Sequence, residues 1–104
     1  MKYKVSFRPR AENDLFELYR YIAEDSGLTT AGGYIERIEA ACLGLETFPL
    51  RGQARDDIRP GLRTLGFERR AVIVYQVLAR EVVIVRIFYG GQDYERKLLA
   101  QVSE

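Results

Sequence analysis

The chain has 104 residues, 47% of them hydrophobic, and a formal net charge of +1. These values suit one compact domain over residues 1–104 and exclude an intrinsically disordered polymer. It contains no histidine and one cysteine, Cys42, which removes imidazole-based triads, imidazole metal sites and internal disulfides. Thirteen arginines and three lysines face fifteen acidic residues, so the basic excess typical of a phosphate-driven nucleic-acid binder is missing.

From the N-terminus, Lys2 to Phe7 alternates Tyr3, Val5 and Phe7 with Lys2, Lys4 and Ser6, the pattern of a short half-exposed strand. No apolar block of a signal peptide precedes it, and no run approaches the ~20 apolar residues of a membrane span. A cytoplasmic protein without a membrane partner is therefore expected. Pro9 suits a first helical turn, and Glu12 and Asp14 complement the positive end of the helix dipole. Ala11, Leu15, Leu18 and Ile22 recur at helical spacing until Asp25-Ser26-Gly27 stops the helix. A second helix is expected from an N-cap at Thr29-Thr30 to about Glu46, with Ala31, Ile35, Ile38, Cys42 and Leu45 on its apolar stripe. Gly32-Gly33 weakens its first turns by roughly 1 kcal/mol per glycine relative to alanine.

Residues 51–61 read as loop, rich in breakers. Three strands follow: Leu62 to Gly66, Arg69 to Leu78, and Val82 to Tyr89. Gly90-Gly91 breaks the pattern, and Tyr94 to Val102 reads as a terminal helix. The expected fold class is α+β in the order β-αα-βββ-α, with the helical hairpin packed on a small, mostly antiparallel sheet. How the first strand pairs is not legible from pattern. The last two long strands are apolar on both faces, as in a sheet covered on both sides. Strict alternation places Ile73, Tyr75, Val77, Val83, Val85 and Ile87 on one face. It places Val72, Val74, Leu78, Val82, Ile84 and Phe88 on the other. One helical hairpin covers one face, so an open apolar flank for a protein partner is expected on the second.

Among single residues, Arg86 lies within an apolar strand and requires an acidic partner, for which Asp14, Glu17 and Asp93 are candidates. Cys42 falls on the apolar stripe and reads as core. Tyr19, Tyr21 and Tyr34 read as packing of the helical hairpin, and Asp56-Asp57 as solvated loop. Tyr89-Gly90-Gly91-Gln92-Asp93 reads either as a contact loop at a strand end or as a glycine turn with Asp93 capping the last helix.

Several ordered pieces carry a resemblance. They are Pro9-x-Ala11-x-x-Asp14-Leu15, Tyr21-Ile22, Ala31-x-x-Tyr34-Ile35-x-x-Ile38 and Leu45-x-x-Phe48-Pro49-x-x-Gly52. Gly61-Leu62-Arg63, Tyr75 with Val77, and Val85 through Tyr94 complete the set. Together they make the chain similar to the RelE/ParE toxins, also known as plasmid-stabilisation proteins, and in particular to the ParE-like branch. Two departures stand out: Arg8 replaces the usual Ser or Thr helix cap, and Tyr89-Gly90-Gly91-Gln92-Asp93 stands where many members carry His-Gly-x-Arg-Asp.

The resemblance implies the toxin of a type II toxin–antitoxin system, neutralised by a cognate ParD-like antitoxin. It also implies either inhibition of DNA gyrase, without catalytic residues, metal or cofactor, or ribosome-dependent mRNA cleavage of the RelE kind. Near-neutral charge and the lack of histidine favour gyrase inhibition, since an RNA-cleaving site needs a basic concave surface and positioned acid/base groups. A non-toxic protein-interaction module is the third reading. No direct sequence-specific nucleic-acid binding by this chain alone is expected. The candidate target or antitoxin contacts are Arg63, Arg69, Arg70, Arg86, Tyr89, Gln92 and Asp93.

Overall fold

The computed structural model describes residues 2–90 and 94–102. Strand β1 spans Lys4–Phe7, helix α1 Pro9–Ser26 and helix α2 Leu28–Leu43. Arg8 precedes α1 without a side-chain cap, and Pro9 occupies its first turn. Gly27, at φ 94°, ends α1 and begins α2, a backbone state that glycine adopts without steric cost. One residue thus serves both helix ends, and Thr29 and Thr30 fall inside the first turn of α2. The expected threonine cap is therefore not formed. A short 3₁₀ turn over Gly44–Glu46 finishes the helical segment.

Strands β2 (Gln53–Ala54), β3 (Leu62–Phe67), β4 (Ala71–Val77) and β5 (Glu81–Tyr89) follow, and α3 (Tyr94–Val102) closes the described chain. The sheet order is β1-β5-β4-β3-β2. Its β1 runs parallel to β5, in register Lys4 to Glu81 through Phe7 to Ile84, and the other pairings are antiparallel. The two-residue β2 lies inside the expected loop; so short a strand has no period by which pattern could find it. Glu68 and Arg69 both adopt positive φ, 47° and 63°, and the Arg70 N–H donates to the Phe67 carbonyl. This is the mirror-image turn whose twist suits a hairpin. It moves Arg69 and Arg70 out of the strand that they were expected to open and into the turn.

The register slips between Val74 and Tyr75, which face Arg86 and Ile84. Val85 is therefore an extra residue, a β-bulge that reverses face parity along β5. Strict alternation fails here for that reason. Val82 and Ile84 join Ile73, Tyr75 and Ile87 beneath the helical hairpin, while Val85 turns to the opposite side.

The bulge also changes the membership of the second face. The buried cluster there is formed by Leu62, Val74, Val85 and Phe88. These are buried against Leu98 of α3, with Ile58 and Val72 packed at the margin. Val74 is 0% and Phe88 2% exposed. The expected open flank is thus closed by the chain's own terminal helix and the loop before β3. Leu98 contributes about 2 kcal/mol by burial, and the Arg55–Glu95 ion pair at 3.2 Å ties α3 to that loop. No helix among the described residues is long and apolar enough to cross a membrane.

The loop from Phe48 to Gly52 is fixed from below. The buried Tyr75 hydroxyl donates to the Pro49 carbonyl and accepts the Gly52 N–H, both at 2.8 Å. A Cβ on Gly52 would lie 2.6 Å from the Thr64 carbonyl oxygen and 2.7 Å from that hydroxyl, so this position accepts glycine only. Asp56 and Asp57 are not merely solvated: Asp56 accepts the Gly61 N–H at 2.9 Å, and Asp57 pairs with Arg55 at 2.9 Å.

Candidate functional site

Asp14, Glu17 and Tyr21 stand at helical spacing on one side of α1, and that side faces the last residues of β5. Strand β1 covers β5 only as far as Ile84. Beyond it the outer edge of β5 has no strand neighbour among the described residues, and an open edge exposes unpaired backbone groups. Asp14 fills part of that gap. Its carboxylate accepts the Ile87 N–H at 2.8 Å. It also accepts Arg86 Nε at 2.8 Å and Nη2 at 3.1 Å.

Arg86 starts in register with Val74, on the second face, and carries its guanidinium 4.6 Å from the Phe88 ring centroid. Its side chain is 12% exposed and that of Asp14 14%. Of the partners that sequence offered for Arg86, Asp14 pairs with it, and Asp93 lies outside the described residues. The pair joins strand to helix and neutralises the arginine within the wall.

A cleft of about 430 Å³ opens beside this pair, lined by Glu17, Tyr21, Arg86, Tyr89, Gly90 and Lys97, among others. Tyr21 is 60% exposed and meets Tyr89 edge-on, with ring centroids 5.8 Å apart. Hairpin packing alone does not describe Tyr21, because it forms the rim of this cleft. Gly90, at φ 72°, donates its N–H to the Arg70 carbonyl at 2.9 Å. The strand end is thereby tied to the β3–β4 turn.

The structure brings Arg70, Arg86 and Tyr89 to one end of the molecule, with Arg69 exposed in the adjoining turn. Arg63 stands apart from them: its guanidinium donates to the carbonyls of Leu50 and Gly52, which gives it a loop-holding role. Gln92 and Asp93 lie outside the described residues. Lys97, absent from the sequence-based candidates, sits at the cleft because α3 folds back over the sheet. Its helical position was legible, but its neighbours across the cleft were not.

Burial pushes the Cys42 thiol up to about 12, with a further push from Glu39. A thiol held protonated in the core is a poor nucleophile. The cleft presents a phenol rim, the Glu17 carboxylate and Lys97 beside the Asp14–Arg86 pair.

Known proteins resemble this chain in sequence and in fold. Residues 5–94 match the family described as the ParE toxin of the type II toxin–antitoxin system parDE. Toxin ParE3 of Caulobacter vibrioides is 35% identical over 94 residues, covering 90% of this chain and 92% of that protein. Among solved structures, the chromosomal ParDE system from P. aeruginosa superposes with a TM-score of 0.74 at 24% identity, covering 86% of this chain and 97% of that one. The RelBE2 toxin–antitoxin complex of Mycobacterium tuberculosis gives 0.62 at 22% identity, covering 86% and 99%. At such identities these two likenesses concern the fold.

Proposed function

The chain belongs to the ParE toxin family of type II toxin–antitoxin systems, and from that premise we propose that it arrests growth by binding and inhibiting DNA gyrase, without catalysis of its own. Its cognate antitoxin is a ParD-like protein that holds it inactive in the cytoplasm. The observation that carries the gyrase reading is the Asp14–Arg86 pair. It turns the strand-end guanidinium into a neutral structural element, whereas an RNA-cleaving site needs cationic groups presented to a phosphorane. The chain's near-neutral charge supports the same reading, because binding to ribosomal RNA draws on basic excess.

An antitoxin partner draws support from the family and from exposed apolar side chains. Phe48 and Leu50 are 66% and 65% exposed and, with Tyr3, line one shallow apolar depression. The contacts proposed for target or antitoxin are Arg69, Arg70, Tyr89, Gln92 and Asp93, joined by Lys97. Arg63 and Arg86 serve to hold the scaffold.

Induced expression without the neighbouring gene should stop growth, and co-expression with it should restore growth. The purified chain should block supercoiling by gyrase and leave mRNA on translating ribosomes intact. Cleavage of ribosome-bound mRNA with unimpaired supercoiling would overturn the gyrase reading in favour of a RelE-like activity. Unchanged growth on induction would leave only an interaction module.

A further inference from the structure

A second cleft lies on the other side of the Tyr21–Tyr89 rim. It has a volume of about 510 Å³ and is walled by the end of α1, the first half of α2 and the β3–β4 turn. That size suits a small organic molecule better than a single ion. Four observations converge on it.

Tyr34 is 8% exposed, and its hydroxyl is buried without a hydrogen-bond partner. Its ring is wedged edge-on against Phe67 and Tyr89, with the Arg37 guanidinium 5.5 Å from its centroid. The groups that act electrostatically on this hydroxyl are Tyr89, Glu68, Arg37 and Arg70, and all four line the cleft. Burial, followed by Tyr89 and Glu68, pushes its pKa to about 12, so the phenol stays a donor. A buried donor left unpaired is costly and calls for an explanation.

The start of α2 adds further donors. Gly27 offers no side-chain cap, the first turn holds no acidic residue, and Thr29 and Thr30 of that turn line the cleft. An uncapped helix start directs free N–H groups and positive potential outward.

Gly33 supplies the space. It has ordinary helical φ, and a Cβ there would meet Arg37 at 3.5 Å and nothing closer. Neither backbone conformation nor packing requires glycine at this position, yet its missing side chain leaves the cleft open.

The charges complete the site. Arg37 and Glu68 satisfy each other through two bonds, at 2.8 and 3.1 Å. Asp25 accepts the Ser26 hydroxyl at 2.8 Å. Arg70 lines the same wall, and among the described residues no carboxylate forms a salt bridge with it.

We propose that this cleft binds a small organic oxyanion, a carboxylate or a phosphate monoester, held by the Tyr34 hydroxyl, the Arg70 guanidinium and the free amides at the start of α2. The site is separate from the β5–α3 cleft and does not depend on the gyrase reading.

The test is an NMR titration of the isotope-labelled full chain with inorganic phosphate, acetate and adenosine monophosphate in turn. Saturable shifts are expected on the amides of residues 25–37, 68–70 and 89. Tyr34→Phe and Arg70→Gln should each weaken binding about tenfold to a hundredfold, the worth of one hydrogen bond to a charged group. Tyr34→Phe should meanwhile keep or raise the thermal midpoint, since it removes an orphaned polar atom. Gly33→Leu, which fills the floor with a better helix former, should abolish binding in a folded protein. Tighter binding of the two phosphates than of acetate assigns a phosphate ester, and the reverse order assigns a carboxylate. The proposal fails if no probe saturates, if shifts scatter over surface arginines, or if all three variants bind as the parent does.

Discussion

Replacement of Asp14 by alanine is the sharpest test of how this end of the molecule is held. The carboxylate accepts three hydrogen bonds, from Arg86 Nε, Arg86 Nη2 and the Ile87 N–H, and both side chains of the pair are less than one-sixth exposed. Removing it takes a two-point carboxylate partner from a largely buried guanidinium and leaves a strand-edge amide without its acceptor. Breaking a buried pair from one side typically costs 3–5 kcal/mol. Because the guanidinium keeps contact with the Phe88 ring and can swing toward the cleft, a loss of about 3 kcal/mol is expected for Asp14→Ala. At a urea dependence of about 1 kcal/mol/M, the unfolding midpoint should fall by about 3 M. Arg86→Met should cost less, about 1–2 kcal/mol, because Asp14 keeps the Ile87 amide and a solvent path. The double variant Asp14→Ala with Arg86→Met should lose less than the two single losses added, since no uncompensated charge is left. A loss below about 1 kcal/mol for Asp14→Ala, or strict additivity in the cycle, would refute the view that this pair joins strand to helix.

Other outcomes follow from the same geometry. Gly52→Ala should destabilise the fold by about 2–3 kcal/mol, read from the urea midpoint, because the new methyl meets backbone at Thr64. Tyr34 has its pKa raised from 10.0 to about 12. The folded state therefore keeps a proton that the unfolded chain releases, and stability present below pH 10 should decline between about 10 and about 12. Spectrophotometric titration should show a late-titrating phenol, and Tyr34→Phe should shrink the alkaline loss. Cys42, with its thiol pushed to about 12 and its side chain in the core, should react with a thiol reagent only on unfolding. Charge reversal at Arg69 and Arg70 should abolish growth arrest while leaving the thermal midpoint within a few degrees. Retained toxicity in that variant would remove the β3–β4 turn from the contact surface.

Most of the element order was legible because the helices of the hairpin are long and periodic. Pro9 and Gly27 punctuate α1 unambiguously, and Val-, Ile- and Tyr-rich runs marked β4 and β5. Face assignment failed in β5 for a physical reason. Where both sides of a strand are apolar, hydrophobic pattern does not specify register, and nothing in Ile84-Val85-Arg86 announces a bulge. The bulge exchanges which valines and isoleucines lie on each face without making the second face smaller; that face is closed because α3 and the loop before β3 cover more of it than expected. At the site, Asp14 as partner of Arg86 was within reach of sequence, since a buried arginine demands an acid and α1 offered two. The cleft-facing role of Tyr34 was not. On a helical wheel a tyrosine with a paired hydroxyl and one with an orphaned hydroxyl look alike.

The parallel pairing of β1 with β5 has a bearing on how the chain reaches this state. Lys4 finds its place beside Glu81, so the strand made first waits for the strand made last. Such distant pairings carry loop-closure entropy and slow folding relative to local hairpins. During synthesis the helical hairpin has no sheet to settle on until the β3–β4–β5 meander emerges, and the rim built from Tyr21 and Tyr89 forms only then. A nascent or truncated product that stops short of Glu81 therefore lacks the Tyr21–Tyr89 rim, and any activity that depends on this rim should appear only once β5 has been made.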